Sequence, residues 1–487
     1  MKYSKVFSGQ NMFLSSVIVT IETDIANGLH AFSIVGLGDK AVDEAKDRVS
    51  AAVKNIGYIS PKQKNQKVVV SLAPADTRKE GSHFDLGIAV GYLIASGEIQ
   101  ATNTKTLYLG ELSLDGSLRR VFGVLPLVQK AKEAGFTEVI VPHINAEEAA
   151  IIPDISIIPT HTLDEVIAHI TGKNKITAQP PTQITYTRPD FDIDMRDIRG
   201  QENAKRGIEI AAAGKHNIAL FGPPGTGKTM LAKALWGILP PLKAKEAIEV
   251  TSIHSVVGTL SKKAITHPPF RNPHHTSSYA SMVGGGTFPR PGEITLAHRG
   301  VLFLDEFPEF DKVVIESLRQ PLEEKKVLIA RAKTSIEFPA DCILIATMNP
   351  CPCGYMGSKQ KDCTCTPAEI KMYQKKLSGP IIDRIDMWIE VSTVDYEKLN
   401  SNINPGETSQ VVAERVGSAR KEIDIQKEIR LIPEVEKLLT LSAKRLNLSA
   451  RAYYKTIRIA QTIAFLENRD RIETKDILEA LQYRPKT

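Results

Sequence analysis

The chain has 487 residues, enough for roughly two to four domains, and its 42% hydrophobic content suits a globular protein with sizeable cores. A formal net charge of +6 permits a nucleic-acid partner without demonstrating one. There is no apolar run of about 18 residues, and residues 1–9 lack a signal-peptide core, so we expect a cytoplasmic protein without a membrane partner.

The first segment, residues 1–170, alternates strand-like and helical patterns. The strand-like runs cover residues 17–22 and 67–72, and the helical patterns cover 43–55, 85–95 and 125–134. Residues 171–190 are rich in Thr, Gln and Pro and have no periodic apolar pattern. They predict a linker that ends the first domain.

Residues 191–396 carry a phosphate-loop motif and predict a nucleotide-binding α/β domain. The motif consists of Gly222, Pro223, Pro224, Gly225, Thr226, Gly227, Lys228 and Thr229. It lies between a buried-strand pattern and a helical pattern, and its glycines let backbone N–H groups converge on a phosphate. Lys228 would reach the β- and γ-phosphates of ATP, and the Thr229 hydroxyl would bind Mg²⁺.

A second apolar strand pattern, residues 301–304, ends in two carboxylates. Asp305 would hold Mg²⁺, and Glu306 would polarise the attacking water. Alone, this pattern would favour a buried strand followed by a solvated acidic turn. Together with the phosphate loop, it predicts ATP hydrolysis.

Two basic segments interrupt this predicted domain. The first contains Lys262, Lys263, Arg271, His274 and His275. The second, residues 323–339, has a β-hairpin pattern and carries Lys325, Lys326, Arg331 and Lys333 as candidate DNA contacts. On charge alone, both segments would be interpreted as solvated loops.

Four of the five cysteines lie within fifteen residues, as Cys351, Cys353, Cys363 and Cys365. Four thiolates could form a closed tetrahedral Zn²⁺ site, and the alternative is four reduced thiols in an exposed loop. The remaining cysteine, Cys342, lies in an apolar strand pattern and is assigned to the core.

The last segment, residues 397–487, is helical. Its helical patterns cover 408–426, 433–442, 449–468 and 474–483. Ser449 and Thr474 are expected to be helix N-caps.

This order of motifs resembles the AAA+ ATPases of the magnesium-chelatase-like branch, and specifically the YifB/ComM family. The most specific stretches are residues 201–229, 271–310 and 348–386. The resemblance implies an AAA+ P-loop NTPase core, a C-terminal helical lid and a homo-oligomeric ring, with a hexamer expected. In this branch, insertions such as the two basic segments face the central pore.

The resemblance also assigns roles to three polar residues. Asn349 corresponds to the sensor that orients the attacking water, and Arg451 to the second sensor, on a lid that closes onto the core. Arg384 corresponds to the arginine finger given to the neighbouring subunit's nucleotide. The alternative for Arg384 is a surface ion pair with Asp383 or Asp386.

The first segment resembles the Lon-type protease domain, an α+β fold shared with ribosomal protein S5. The similarity lies in residues 78–86 and 110–118. The nucleophile position falls on His83 and the lysine position falls near Leu125, so we expect no protease activity. Ser82 could rescue the nucleophile if a nearby lysine such as Lys79 served as its base.

The resemblance to the YifB/ComM family implies a ring that moves along DNA and drives branch migration during recombination or natural transformation. Two alternatives remain open from the sequence: a protein-remodelling chaperone and the ATPase subunit of a metal chelatase. The first segment counts against the chelatase, because we expect chelatase motor subunits to lack such a domain.

Overall fold

The computed structural model describes residues 2–186, 189–260, 264–286, 289–330, 335–358, 361–393, 406–425 and 431–485. The chain forms two compact units. The first comprises Met1–Thr185 and Ala247–Ile265, and the second comprises Tyr186–Glu246 and Thr266–Thr487.

A seven-stranded mixed sheet in the order β3-β4-β2-β1-β5-β8-β9 forms the centre of the first unit. The strands of this unit are β1 Tyr3–Met12, β2 Ser15–Asn27, β3 Ala31–Val35, β4 Gln66–Ala73, β5 Thr106–Tyr108, β6 Glu111–Leu112, β7 Leu118–Arg119, β8 Glu138–Pro142 and β9 Ser156–Thr160. The helices are α1 Lys40–Asn55, α2 Asp85–Ala95, α3 Val124–Glu133, α4 Ala146–Ala149 and α5 Leu163–Ile170. The two predicted strands lie within β2 and β4, and the three predicted helices match α1, α2 and α3.

The predicted linker is tied to the first unit along much of its length. Its described residues beyond Gly172 form no helix or strand. However, the backbone N–H of Gln179 donates to Ile157 at 2.8 Å, that of Thr182 donates to Ala150 at 2.9 Å, and Ile184 packs on the core. Composition predicted the missing regular structure but gave no sign of these contacts.

Residues 247–265 pack with the first unit although they lie inside the predicted segment 191–396. The Ser255 carbonyl accepts from the Gly123 N–H at 3.0 Å, and the Ser255 hydroxyl donates to the buried carboxylate of Glu148. Ile248 packs on the same hydrophobic cluster. The sequence boundaries at 170, 190 and 396 stay predictions.

The second unit contains a five-stranded, fully parallel sheet in the order β11-β14-β17-β10-β18. The strands of this unit are β10 Ile218–Phe221, β11 Phe270–Arg271, β12 Gly284–Gly285, β13 Arg290–Pro291, β14 Val301–Leu304, β15 Lys326–Ala330, β16 Ser335–Pro339, β17 Ile343–Met348 and β18 Met387–Glu390. Because β14, β17 and β10 are adjacent and parallel, their carboxyl ends meet at one edge of the sheet. The phosphate loop, the acidic pair and Asn349 all follow these ends.

The remaining described α-helices of the chain lie wholly or partly in this unit. They are α6 Glu202–Gly214, α7 Lys228–Gly237, α8 Ala244–Val257, α9 Tyr279–Val283, α10 Glu293–Leu296, α11 Lys312–Ser317, α12 Arg319–Glu324, α13 Pro367–Gln374, α14 Gly379–Ile382, α15 Ser409–Ile425, α16 Pro433–Arg445, α17 Ala450–Leu466 and α18 Thr474–Gln482. The last four share one hydrophobic cluster with α6, α7 and the sheet. Helix α8 begins in this unit and ends in the first.

One of the two predicted helix caps is wrong. Ser449 caps α17, because its side chain accepts from the N–H of Ala452. Glu473 caps α18 instead of Thr474, because its side chain bonds the N–H of Asp476 and the Asp476 side chain bonds back. Such reciprocal capping is available to a glutamate when the third helical residue can accept a hydrogen bond.

Among the described residues, no helix combines the length and the apolar character needed to cross a membrane.

Candidate functional site

The phosphate loop leaves the carboxyl end of β10 and enters α7 at Lys228. Gly225 and Gly227 have φ angles of +76° and +86°, in the left-handed region that favours glycine. A Cβ atom at Gly222 would lie 2.0 Å from the carbonyl oxygen of Val391. The loop therefore combines a tightly curved backbone with a helix N-terminus, as phosphate binding requires.

The Lys228 ammonium group lies within this loop. Its Nζ atom donates to the carbonyl oxygens of Gly222 at 2.7 Å and Pro223 at 2.8 Å, and to Oδ1 of Asn349 at 3.2 Å. Burial lowers the pKa of Lys228, and the two carboxylates after β14 oppose that shift. Lys228 and the predicted sensor Asn349, which follow the neighbouring strands β10 and β17, are therefore in direct contact.

The Asp305 carboxylate joins two hydroxyl groups. Thr229 Oγ1 donates to Asp305 Oδ2 at 3.4 Å, and the Thr347 hydroxyl donates to Asp305 Oδ1. Thr347 also accepts from the N–H of Glu306 at 3.1 Å, so it aligns both carboxylate residues. Sequence analysis missed Thr347, and its only signal was a polar residue inside a buried strand. The oxygens of Thr229 and Asp305 are suited to Mg²⁺.

Glu306 has a left-handed backbone, with φ of +52°. This conformation is uncommon outside glycine, and it turns the chain immediately after β14. The Glu306 carboxylate lies 3.8 Å from Nδ1 of His275, a residue of the first basic segment. Glu306 therefore has His275 as a close neighbour.

These groups line one cleft of about 400 Å³. Its walls are formed by Pro224, Gly225, Thr226, Gly227, Lys228, Thr229, Met230, Asp305, Glu306, Thr347, Met348 and Asn349. The cleft thus contains a phosphate cradle, oxygen ligands for a divalent cation, and an acid that can accept a proton from water. Neither Arg384 nor Arg451 lines it.

Arg384 and Arg451 instead meet at one carboxylate, that of Glu323. Arg384 Nη2 donates to Oε2 of Glu323, and Arg451 Nη2 lies 2.9 Å from Oε1. The pairing of Arg384 with Asp383 or Asp386, considered from the sequence, is not what the structure shows. Arg451, predicted as a second sensor on the lid, lies beside Arg384 on α17 and does not line its own chain's phosphate cleft, and its sensor role stays a prediction.

Lys455, one turn after Arg451 on α17, fixes this arrangement. Its Nζ atom lies 2.9 Å from Oδ1 of Asp386 and donates to the carbonyl oxygens of Asp383 at 2.6 Å and Ile385 at 3.2 Å. The half-buried Asp386 also accepts from the N–H of Asn217 at 2.8 Å. The lid helix is thereby tied to the segment that carries Arg384, so the two arginines form a pair of fixed separation.

The four clustered cysteines come together after Asn349. Every pair of Sγ atoms lies within 4.8 Å, and Cys351, Cys353 and Cys363 are 3.4 to 3.7 Å apart. Zn–S bonds of about 2.3 Å give S···S edges of about 3.8 Å in a tetrahedron, so the four residues are compatible with Zn²⁺.

This cysteine loop packs against the phosphate loop. A Cβ atom at Gly354 would lie 2.8 Å from Cδ of Pro224 and 3.8 Å from Cγ of Asn349. Two backbone N–H groups, those of Cys353 and Met356, donate to cysteine sulfurs at 3.3 and 3.4 Å. A metal ion that held the four cysteines in place would therefore also support Pro224 and Asn349 in the wall of the cleft.

The predicted hairpin of the second basic segment exists as the antiparallel pair β15–β16. Lys325 lies 3.4 Å from Asp341, and Lys326 lies 3.1 Å from Glu337. These two lysines therefore have acidic partners within the fold, which charge counting did not predict. Arg331 and Lys333, like Lys262 and Lys263, lie outside the described residues.

The protease-like residues of the first unit are engaged in internal contacts. The Ser82 hydroxyl donates to Glu111, and the buried Lys79 donates to the carbonyl oxygens of Pro74 and Thr77. Leu125 is fully buried, and burial lowers the pKa of His83 to about 4. No hydrogen bond joins Lys79 to Ser82.

Three family models match the chain. They are described as "Magnesium chelatase, subunit ChlI" over residues 194–399, "Subunit ChlI of Mg-chelatase" over 21–145, and "Magnesium chelatase, subunit ChlI C-terminal" over 406–484.

Full-length relatives agree with these models. The chain is 39% identical to competence protein ComM of Haemophilus influenzae, covering 99% of this chain and 98% of that protein. It is 41% identical to YifB of Salmonella typhimurium, over 96% of this chain and 94% of that protein. Lon protease 2 of Bacillus subtilis is similar over part of its length only. The two are 28% identical over a stretch that covers 29% of this chain and 27% of that protein. The chain therefore belongs to the YifB/ComM family of magnesium-chelatase-like AAA+ proteins.

Proposed function

We propose that this protein is an ATP-hydrolysing ring motor that acts on DNA as a branch-migration helicase. The observation that carries the hydrolysis is the cleft in which Lys228, Thr229, Asp305, Glu306 and Asn349 converge. Family membership supports an AAA+ ATPase. The cytoplasm is the expected location, since substrate and nucleotide are there.

Each group in the cleft has one task. Lys228 exchanges its carbonyl partners for phosphate oxygens, while the backbone N–H groups of the loop hold the β-phosphate. Thr229 and Asp305 would hold Mg²⁺, which would neutralise charge on the transferring phosphoryl group. Glu306 accepts the proton of the attacking water, and Asn349 orients that water.

Arg384 and Arg451 act together on the neighbouring subunit's nucleotide. They are held side by side, and neither lines the cleft of its own chain. A guanidinium supplied in trans stabilises the charge of the transition state and makes hydrolysis depend on assembly. This requires a homo-oligomeric ring, for which we propose a hexamer.

Subunit mixing tests this assignment. Lys228→Ala subunits have no working cleft, and Arg384→Ala subunits have a cleft but no finger, so each variant alone should be inactive. A mixture should recover roughly a quarter of wild-type turnover, because random assembly creates interfaces with both parts intact. Lys228→Ala mixed with Arg451→Ala should recover equally, whereas Arg451 acting on its own subunit predicts no recovery.

DNA as the substrate is supported by two observations. The relative from Haemophilus influenzae is named for competence, and the hairpin β15–β16 begins at the basic residue Lys326, directly after Lys325. We propose that the hairpin contacts phosphates without reading bases. Recombination or uptake of transforming DNA is the process to which such a motor belongs.

A stimulation assay tests the DNA proposal. DNA should accelerate ATP hydrolysis, and the effect should weaken steeply as salt is raised. Changing Lys325, Arg331 and Lys333 to Ala should remove the stimulation and leave the basal rate. Acceleration by a protein client instead of DNA would support a chaperone and refute the helicase.

We also propose that the cysteine cluster binds structural Zn²⁺. All four sulfurs lie within 4.8 Å of one another, and four protein thiols would leave no open position on the metal, so we assign it a structural role. Protein purified without added zinc should contain one Zn²⁺ per chain by elemental analysis. Metal-free protein with an intact fold would refute this site.

A further inference from the structure

Glu323 is the common partner of both candidate trans-acting arginines. Its two carboxylate oxygens are divided between them, Oε2 accepting from Arg384 and Oε1 from Arg451. Burial raises the pKa of Glu323, but the charges of Arg451 and Arg384 outweigh that effect and lower it. One ionised carboxylate thus lies between two guanidinium groups.

The other two guanidinium nitrogens of Arg384, Nε and Nη1, also donate to groups of its own chain. Nε donates to the carbonyl oxygen of Arg319 at 2.9 Å, and Nη1 donates to that of Pro380 at 2.9 Å. Arg319 and Glu323 lie near the two ends of α12, so this helix holds the arginine at two points. Only 16% of the Arg384 side-chain surface is exposed, so a phosphate reaches its guanidinium only after a partner is displaced.

A carboxylate and a phosphate present similar oxygen pairs to a guanidinium group. Glu323 therefore competes for the Nη2 atoms that a neighbour's triphosphate would need. The outcome of this competition depends on where α12 holds the carboxylate.

Helix α12 directly precedes the hairpin β15–β16 in the chain. Glu323 precedes the first residue of β15 by three positions, and the N–H of Lys325 donates to the Pro321 carbonyl at 3.0 Å. The Lys325 carbonyl accepts from the N–H of Ala340 at 2.8 Å, beyond the end of β16. Both strand ends of the hairpin are thus bonded to the residues that place Glu323.

We propose that Glu323 is a positioning residue that restrains Arg384 and Arg451 until the hairpin β15–β16 engages a polyanion. Displacement of the hairpin moves the end of α12, withdraws the carboxylate, and frees both arginines for the neighbouring nucleotide. This deepens the proposed function, on which it rests, by naming the contact through which DNA accelerates hydrolysis.

Glu323→Gln tests the restraint, with Glu324→Gln as its matched control. Glutamine keeps the size of the side chain and removes the charge that competes with phosphate. Glu324 is adjacent and contacts only Gln320 among the hydrogen bonds of the described residues, at 3.1 Å. The readouts are the kcat and KM of ATP hydrolysis with and without DNA, at a protein concentration at which the ring is assembled.

Without DNA, Glu323→Gln should raise kcat by roughly threefold to tenfold and leave KM unchanged, as expected for loss of a charge-assisted contact. With DNA, its rate should equal that of the wild type, so the stimulation ratio falls. Glu324→Gln should match the wild type throughout. An equal melting temperature for the three proteins separates this effect from misfolding.

An unchanged or lower basal kcat in Glu323→Gln would overturn the restraint, and a lower value would mean that the carboxylate instead preorganises the arginines. If DNA fails to stimulate the wild type, the DNA proposal fails, while the basal kcat of Glu323→Gln still decides the restraint. If the wild type hydrolyses no ATP, turnover by Glu323→Gln alone would support the restraint, and its absence would overturn it.

Discussion

The two units each contain a lysine, a hydroxyl group and a carboxylate, but the sets differ in what surrounds them. In the second unit, Lys228 and Thr229 line a cleft of about 400 Å³ together with the acidic pair after β14. In the first unit, Lys79 is buried on backbone carbonyls, and Ser82 donates to Glu111. The same residue types are arranged for chemistry in one unit and are held in internal contacts in the other.

The difference lies in the backbone that carries the residues. Parallel strands bring three loops to a single edge of the sheet, where side chains of different loops converge on one opening. In the first unit the lysine turns inward, where burial lowers its pKa. A reactive hydroxyl would need that amine within hydrogen-bond reach.

The largest expected effect comes from comparing Glu306 of the second unit with Glu111 of the first. Glu306→Gln should lower the kcat of ATP hydrolysis by roughly 10²- to 10⁴-fold, because the water loses its proton acceptor. ATP affinity should change little, since the phosphate cradle is intact. The measurements are steady-state turnover and nucleotide binding.

Glu111→Gln is the matched change in the first unit. It should leave ATP hydrolysis at the wild-type rate, and neither variant should gain or lose peptidase activity. A peptidase activity that Ser82→Ala abolishes would break the comparison, because it would make the first unit catalytic.

A smaller effect is expected from the buried ion pair of the first unit. Arg48 donates to the fully buried Asp85 from Nε at 2.7 Å and from Nη2 at 3.0 Å. Arg48→Ala would leave that carboxylate unpaired and should cost about 3–5 kcal/mol of the unfolding free energy of this unit. Hydrogen exchange of the α2 amides measures this loss.

The exposed pair of Lys62 and Asp47 provides the control. Lys62→Ala should cost less than about 1 kcal/mol, because an exposed pair is screened by water. Equal losses in the two variants would contradict the importance of burial.

A smaller effect than that of Arg48→Ala is shared by both units. Burial lowers the pKa of His83 in the first unit and of His216 in the second to about 4. Between about pH 6.5 and 4 the unfolded chain binds a proton that the folded histidine rejects, so stability falls as pH falls. For the buried His216, which contacts Thr462 Oγ1 at 2.9 Å, the loss should be roughly 2–3 kcal/mol.

Urea titrations at pH 7 and pH 5 measure this dependence. His216→Gln should make the unfolding midpoint of the second unit less sensitive to pH than in the wild type. If the urea midpoint of the wild-type second unit rises as the pH is lowered, the predicted loss of stability on acidification is wrong.

The nucleotide cleft was largely predictable from the sequence. Glycine spacing, apolar strand runs and the polar residues at their ends are local patterns, and a parallel sheet then brings those ends together. Thr347 was missed because a hydroxyl inside a buried strand has no distinctive spacing. The Thr474 cap was wrong because the capping interaction begins one residue earlier, at Glu473.

Longer-range contacts were less predictable. Arg451 was predicted as a second sensor on the lid, but nothing in the sequence indicated that Lys455 ties α17 to Asp386 and that Arg451 lies beside Arg384. Lys325 was predicted as a DNA contact from its charge, without any sign in the sequence that the fold supplies Asp341 as its partner. Neither partner is near in sequence, so no local pattern contained these pairings.

By itself, the sequence determined which side chains can bind a triphosphate and which strands carry them, because backbone curvature and apolar periodicity are encoded within a few residues. Only the tertiary structure decided that residues 247–265 pack with the first unit, that four cysteines converge, and that one glutamate joins two arginines. Those outcomes depend on the packing of elements that are distant in the chain, and that packing sets which charges end up close together.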